Sequence, residues 1–186
     1  MRTGIAGTPW LRRHLMHLPR MPAEMRDWLL DPASLTARLK AVCSGNFRVD
    51  LLEQRHLLPR PCEAADLGIS PGRYALVRQV RLLCDREAWV FARTVIPEET
   101  LRGPQRRLRY LKTRPLGEVL FSSPTLTRAR VTIERLVPGG ALYALAASGI
   151  RRNAPAIWGR RSLFVVGGKR LLVSEYFLPG IPPCRP

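Results

Sequence analysis

The stretch RYALVRQVRLLCDREAWVFARTVIP, residues 73–97, decides the fold. Apolar residues alternate with others through residues 73–84 and again through 87–97, and such alternation is typical of β-strands. Only Asp85-Arg86 separates the two segments, a spacing that predicts a β-hairpin with a two-residue loop, although Asp-Gly would be a stronger turn pair. The stretch therefore predicts an antiparallel sheet.

Four more segments have strand patterns: NFRVDLLEQ (46–54), TLTRARVTIERLV (125–137), IWGRRSLFVV (157–166) and RLLVSEYFLP (170–179). The turn GGK joins the last two into a second hairpin. Helical patterns occupy separate segments. We expect two helices within 22–42, the second capped by Ser34, and short helices or turns at 97–111 and 115–121. This segregation predicts a single α+β domain on an antiparallel sheet of about six strands.

Composition narrows the class of protein. The chain has 186 residues, 46% of them hydrophobic, which is enough for the core of one domain. No apolar run approaches the roughly 18 residues that a membrane-spanning helix needs. The first 25 residues carry arginines where a signal peptide needs an apolar segment, so we expect a cytoplasmic protein without a membrane span.

A net charge of +17 raises the question of nucleic-acid binding. The 31 basic residues, of which only three are Lys, are scattered through every segment. No zinc-finger spacing, RNP-like aromatic motif or Gly-rich phosphate loop accompanies them. We therefore expect a solvated basic surface and no specific nucleic-acid partner, with any DNA binding weak, sequence-independent and salt-dependent.

Cysteine and histidine patterns do not predict a metal site. The four cysteines, at positions 43, 62, 84 and 184, form no CxxC pair, and the three histidines lack ligand spacing. Structural disulfides are rare in the cytosol. We expect unpaired thiols and ordinary histidines.

Three charged residues stand in strand rows that are otherwise apolar: Arg78, Arg93 and Glu175. With a two-residue loop in the first hairpin, Arg78 is expected directly across from Arg93. Like charges placed opposite each other destabilise a sheet unless an anion lies between them, and guanidinium groups suit carboxylates. The pattern predicts a site for a small anion, whose hydroxyl or amine would meet Glu175.

A simpler interpretation of each charge stays open. Arginine side chains can extend from an apolar row to solvent. If Gly167-Gly168 is the turn of the second hairpin, Arg160 lies opposite Glu175, and the two form a structural salt bridge. The residue types alone do not decide between a site and a structural pair.

Five segments carry further information: DWLLDPASLTARL (27–39), FARTVIP (91–97), RPLGEVLFSSPTLTR (114–128), IWGRRS (157–162) and GGKRLLVSEYFLP (167–179). In this order they resemble the motifs of the bacterial chorismate pyruvate-lyase family, the 4-hydroxybenzoate synthases of ubiquinone biosynthesis. The resemblance runs from about Asp27 to Pro179 and is weakest between residues 43 and 70.

The resemblance implies an antiparallel sheet with helical flaps closing an internal ligand pocket. It implies cleavage of chorismate into 4-hydroxybenzoate and pyruvate, the first committed step of ubiquinone biosynthesis, without a metal or organic cofactor. In the family the product carboxylate is bound by an arginine matching Arg78 and by main-chain amides matching Leu35 and Leu116. A glutamate matching Glu175 binds the ring hydroxyl, and Arg93 lies by the same pocket.

Chorismate carries two carboxylates, which Arg78 and Arg93 would divide between them. Cleavage yields an aromatic ring, so the enzyme mainly has to orient the diene, exclude water and assist proton movement. Because the motifs contain no histidine, Glu175 is the acid–base candidate, and Arg78 is the second expected catalytic residue.

Two departures from the family pattern concern Leu35 and the segment from about 137 to 154. Leu35 stands where a methionine is usual, a change that spares a main-chain contact. The Gly- and Ala-rich segment 137–154 is interpreted as an inserted loop at the periphery, outside the pocket. We expect one domain over residues 1–186, including an N-terminal extension over 1–21, and a monomer.

Two other classes of function remain open. The effector-binding domains of GntR-type regulators resemble this fold and bind small molecules without chemistry, although no helix-turn-helix pattern precedes residue 27. A nucleic-acid binder is supported by charge alone. Release of pyruvate from chorismate would distinguish a lyase from both.

Overall fold

A computed structural model describes residues 21–148, 150 and 154–183 of the chain. The helices are α1 (Ala23–Leu30), α2 (Leu35–Val42), α3 (Pro61–Leu67), α4 (Leu116–Phe121) and α5 (Ala141–Ala147), with a 3₁₀ helix at Gly103–Tyr110. The strands are β1 (Phe47–Leu57), β2 (Ala75–Cys84), β3 (Glu87–Pro97), β4 (Thr127–Leu136), β5 (Ile157–Val166) and β6 (Lys169–Phe177).

One antiparallel sheet organises the chain, with strand order β1-β2-β3-β6-β5-β4. The predicted α+β class with about six strands is confirmed. Both hairpins are present, and the two central strands, β3 and β6, each come from one of them. The Ser34 cap is present as well, since its hydroxyl accepts a hydrogen bond from the Ala37 amide at 3.4 Å.

Helices cover both faces of the sheet. On the inner face, which carries Arg78 and Glu175, α1, α2 and α4 bury Trp28, Leu39 and Leu120 against apolar strand residues. On the outer face, α3 and α5 cover strand residues such as Val77 and Tyr176. Strands that are covered on both faces have nearly continuous apolar sequences, and the sequences of β2 and β3 are of this kind.

The first hairpin departs from the expected register. The loop does contain two residues, because Cys84 pairs with Glu87, but the ladder shifts between Leu82 and Leu83. Trp89 is the extra residue of a β-bulge, and a shift of one residue moves every later side chain of the strand to the other face. The prediction that Arg78 lies across from Arg93 is therefore wrong.

The shifted register places the two arginines on opposite faces. Arg78 pairs with Thr94 on the inner face, whereas Arg93 pairs with Gln79 on the outer face. There Arg93 forms a two-pronged ion pair with Glu63, at 2.7 Å from Nε to Oε1 and 3.0 Å from Nη2 to Oε2. Arg93 thus does not lie beside Arg78, and it is already paired by the protein.

Helix α3, which supplies Glu63, was not predicted from sequence. Pro61 opens it, the amide of Arg60 donates to Glu63 at 2.9 Å, and Gly68 ends it with a left-handed φ of 70°. Proline at the first helical position and a glycine just past the end are ordinary helix boundaries. The seven-residue length hides the helical period.

The segment 137–154 differs from the expected loop. Its residues Ala141–Ala147 form α5, which buries Leu142 and Ala146 against Phe91 and Tyr176 of the outer face. The prediction of a segment without an apolar face is therefore wrong. The helix belongs to the layer that covers the sheet on the side away from Arg78 and Glu175.

The cysteines also differ from expectation. Cys43, just after α2, and Cys84, at the end of β2, form a disulfide with a Cα–Cα distance of 5.7 Å. The prediction of unpaired thiols is wrong for this pair, because folding joins two positions that are 41 residues apart in sequence. Cys62 is a free thiol. Cys184 and the histidines at 14 and 17 lie outside the described residues, as does most of the predicted N-terminal extension.

Within the described ranges, no helix is both long enough and apolar enough to cross a membrane.

The disulfide predicts a loss of stability on reduction. Replacing Cys43 and Cys84 with Ser should lower the free energy of unfolding by about 2–4 kcal/mol, because the cross-link restricts the unfolded chain. Urea denaturation of the oxidised protein and of the double variant measures this difference. Titration of the denatured, unreduced protein should detect two of the four thiols, whereas four reactive thiols would contradict the pairing.

The buried ion pair predicts that Arg93 stabilises the fold. Arg93→Gln leaves Glu63, which is 1% exposed, without its cation, and the expected cost is about 3–5 kcal/mol of unfolding free energy. Arg55→Gln is the matched control, since Arg55 is 66% exposed in its pair with Glu53 and should cost at most about 1 kcal/mol. Equal, small effects in both variants would refute the assignment.

Candidate active site

A pocket lies on the inner face, between the sheet and the two helices α2 and α4. Its lining is mostly apolar, and among the residues that the structure describes only Arg78 and Glu175 bring charged side chains to it. The remaining lining residues are Leu35, Thr36, Val49, Val80, Leu82, Ala92, Thr94, Pro115, Leu116, Gly117, Leu120, Phe121, Phe164 and Val173. An apolar cavity with a few convergent polar groups is the usual form of a small-molecule site.

The two helices meet over the pocket. At Gly117 of α4, an added Cβ would lie 2.8 Å from Thr36 Oγ1 and 3.2 Å from Ser34 Oγ, so this close approach needs glycine. Farther along, Lys40 of α2 and Glu118 of α4 form an ion pair at 2.5 Å. Helices α2 and α4 thus act together as one cover of the pocket.

Arg78 is almost fully buried at one side of the pocket. Its Nη2 donates to the carbonyl oxygens of Lys112 and Arg114 at 2.9 and 3.1 Å, which fixes the loop leading to α4. No described residue accepts from its Nε. Burial lowers the pKa of Arg78 to about 10, so the group remains a cation at neutral pH.

Leu35 and Leu116, whose main-chain amides were expected at the site, both line the pocket with Arg78. Each is the first residue of its helix. The first amides of a helix have no acceptor within the helix and are available to an oxygen atom from outside it. Together with Arg78, these positions suit a carboxylate.

Glu175 lies at the inner face of β6, where its carboxylate lines the pocket. As predicted from the second hairpin, Arg160 is directly opposite on β5, and its Nε donates to Glu175 Oε2 at 2.6 Å. Sequence left open whether Glu175 belongs to a ligand site or to a structural salt bridge, and the structure shows features of both. Glu175 belongs to a pocket and to a salt bridge at once.

Four of the five predicted site residues meet in this pocket: Leu35, Arg78, Leu116 and Glu175. Arg93 does not, because the bulge turns it to the outer face. Two arginines near the pocket were overlooked as site residues. Sequence indicated Arg160 only as a salt-bridge partner of Glu175. Arg128 was missed, because strict alternation would place it on the same face as Arg130. In the structure β4 shifts register between these two arginines, so they lie on opposite faces.

In the part of the chain that the structure describes, no three or more His, Cys, Asp or Glu side chains cluster in a way that would hold a metal ion.

Comparison with known proteins gives the family of this chain. Residues 7–183 match the family model described as chorismate lyase. The chain belongs to the chorismate lyase family. This confirms the resemblance drawn from the five sequence segments, and the match covers every strand of the sheet and all four pocket residues named above.

Relatives in the chorismate lyase family match over nearly the whole chain. A probable chorismate pyruvate-lyase of Aromatoleum aromaticum is 45% identical over 174 residues, which are 92% of this chain and 92% of that protein. One from Azoarcus sp. is 42% identical over 187 residues, or 97% and 96% of the two chains. The chorismate pyruvate-lyase of Erwinia tasmaniensis is 34% identical over 164 residues, covering 88% and 83%.

Solved structures of regulators share the fold of this chorismate lyase family member. The effector domain of PhnF from Mycobacterium smegmatis has a TM-score of 0.54 and 16% identity, covering 78% of this chain and 87% of that one. The ligand-binding domain of a putative GntR-family regulator from Bordetella bronchiseptica has a TM-score of 0.53 and 16% identity, covering 77% and 91%. At these identities the likeness concerns the fold alone.

Proposed function

We propose that this chain cleaves chorismate into 4-hydroxybenzoate and pyruvate. The proposal is supported by one observation above all: in a member of the chorismate lyase family, Arg78 and Glu175 are the only charged ones among the described residues that line one apolar pocket. The relatives' names, chorismate pyruvate-lyase, support the same reaction.

The ring carboxylate of chorismate binds to Arg78 and to the first amides of α2 and α4, those of Leu35 and Leu116. The C4 hydroxyl, which becomes the phenol of the product, binds to the carboxylate of Glu175. A buried guanidinium and helix-terminal amides suit a carboxylate, whereas a carboxylate suits a hydroxyl donor. The two ends of the ring are thus distinguished by charge.

The reaction removes the C4 proton and breaks the C3–O bond to the enolpyruvyl group. The electron pair of the C4–H bond completes the aromatic ring, and that of the C3–O bond leaves with enolpyruvate. Protonation of the enolpyruvate methylene carbon then gives pyruvate. Because aromatisation is strongly favourable, the protein has to orient the diene, exclude water and move a proton. Glu175, beside C4, is the acid–base candidate.

A single assay tests the proposed reaction. The protein is incubated with chorismate, and pyruvate and 4-hydroxybenzoate are measured against a protein-free blank that corrects for spontaneous decay. Equimolar release of both products is expected. Binding of chorismate without release of pyruvate would instead identify a sensor of the same fold. We further propose that the chain acts as a monomer.

Glu175→Gln is expected to lower kcat about 100-fold or more, because the amide can still hold the C4 hydroxyl but cannot exchange a proton with the substrate. The variant also loses its charge pairing with Arg160, so kcat and melting temperature have to be measured together. Glu134→Gln is the matched control, since it removes a carboxylate bound to Arg161 on the outer face. That control should lower stability and leave kcat unchanged.

A kcat of Glu175→Gln equal to that of the unmodified protein, with a lowered melting temperature, would mean that Glu175 is only the partner of Arg160. Such a result would refute its catalytic role.

A further inference from the structure

Two arginines lie together at the side of Glu175. Arg160 pairs with Glu175 across β5 and β6, and Arg128 pairs with Phe164 across β4 and β5, so both belong to the inner face. Both donate to the carbonyl oxygen of Asp31, from Arg160 Nη1 at 2.5 Å and from Arg128 Nη1 at 3.0 Å. Because the two donors share one acceptor, the guanidinium groups are neighbours.

The positive charge of this pair exceeds the negative charge that the protein places beside it. Glu175 binds Arg160, whereas the carboxylate of Asp31 binds Arg38 at 2.7 Å. Burial, together with the positive charge of Arg160, lowers the pKa of Arg128 to about 10, and the group remains charged at neutral pH. Arg160, which is fully buried, and Arg128, which is partly buried, therefore lie beside two carboxylates, that of Glu175 and that of Asp31, and the second also binds Arg38.

Each of these arginines has a buried N–H group that no described residue accepts: Nη2 of Arg160 and Nε of Arg128. The side chain of Arg160 is 0% exposed. The hydroxyl of Ser162, two residues along the same face of β5, likewise has no described partner. Buried donors of this kind cost free energy unless a ligand accepts from them.

Aromatic side chains fix Arg128 at the pocket. Its guanidinium carbon stands 4.9 Å from the ring centre of Phe164 and 5.9 Å from that of Phe121, and both rings line the pocket. These two cation–π contacts hold the guanidinium beside rings that line the cavity. Its unpartnered Nε is thereby held next to the pocket that Arg78 and Glu175 share.

We infer that Arg128 and Arg160 form a second carboxylate subsite, which binds the enolpyruvyl carboxylate of chorismate. The inference rests on the proposed lyase function. In chorismate the enolpyruvyl group is attached at C3, next to the C4 hydroxyl. With that hydroxyl at Glu175, the side chain extends toward the arginines beside Glu175, and away from Arg78, which binds the ring carboxylate.

The subsite has a role in the cleavage as well as in binding. When the C3–O bond breaks, its electron pair passes to the enolpyruvate oxygen. Guanidinium groups that are already in place next to this leaving group stabilise the developing negative charge without reorganisation of water. Sequence assigned the second carboxylate of chorismate to Arg93, but Arg93 faces the outer side of the sheet. Arg128 and Arg160 take that role instead.

The test compares two ligands, because 4-hydroxybenzoate has only the ring carboxylate and chorismate has both. Arg128→Gln should raise KM for chorismate about tenfold or more, as expected for a lost charged hydrogen bond, and should leave Kd for 4-hydroxybenzoate within about twofold. Arg130→Gln is the matched control, since it removes the same charge from the same strand but contacts Asp66 on the outer face. It should change neither constant.

Arg160→Lys is a second variant, which keeps the charge and removes the fork of donors. It should show the same selective loss of chorismate over 4-hydroxybenzoate. Retained binding of 4-hydroxybenzoate shows that each variant is folded. Equal losses for both ligands, or no loss for chorismate in Arg128→Gln, would overturn the subsite.

Failure of the lyase function is recognised separately. If the unmodified protein releases no pyruvate, the direct Kd for chorismate replaces KM, and the same comparison still decides whether the second carboxylate meets Arg128.

Discussion

One extra residue in β3 determines which side of the sheet each charge faces. The bulge at Trp89 lets Trp89 and its neighbour Val90 pack into the same core on the inner face, against Trp28 and Leu39. Past this point the register is shifted by one residue, and side chains alternate with a period of two. Arg78 and Thr94 therefore share the inner face, and Arg93 faces outward.

The two faces then use charge in opposite ways. On the outer face the charges satisfy one another: Arg93 binds Glu63, Arg161 binds Asp66 at 2.8 Å, and the hydroxyl of Tyr176 donates to Glu134 at 2.6 Å. Burial and the neighbouring Glu134 raise the pKa of Tyr176, so its hydroxyl stays protonated. These pairs stabilise the packing of α3 on the sheet and need no ligand, although Arg81 on the same face keeps one buried N–H, its Nε, without a described acceptor.

On the inner face the charges are left partly unsatisfied. Arg78, Arg128 and Arg160 each keep a buried N–H without a described acceptor. Arg78 and one carboxylate, Glu175, line the pocket, whereas Arg160 contacts Glu175 and Arg128 contacts the lining rings of Phe121 and Phe164. A buried positive charge without a negative partner is costly. The excess of arginines over carboxylates on this face therefore indicates that an anionic ligand binds there. Chorismate, with two carboxylates and one hydroxyl, matches three arginines and one glutamate.

Sequence predicted the parts of this arrangement that depend on local periodicity. Alternation identified the strands, the glycine turn correctly placed Arg160 opposite Glu175, and Ser34 marked the start of α2. The bulge at Trp89 was not predictable, because the packing that favours it comes from α1, which is distant in sequence. The register shift after Arg128 likewise kept the sequence from predicting that Arg128 faces the inner side of the sheet. The Cys43–Cys84 pair likewise depends on tertiary contact.

The most direct test of the central claim, that the bulge assigns Arg78 and not Arg93 to the ligand, is the affinity for 4-hydroxybenzoate measured by calorimetry. Arg78→Gln is compared with the double variant Glu63→Gln, Arg93→Gln, which removes both charges of the outer pair and leaves none uncompensated. Arg78→Gln should weaken binding about 30-fold or more, as for a charged group in a buried pair. The double variant should bind within about twofold of the unmodified protein. A double variant that loses affinity as strongly as Arg78→Gln would contradict the account.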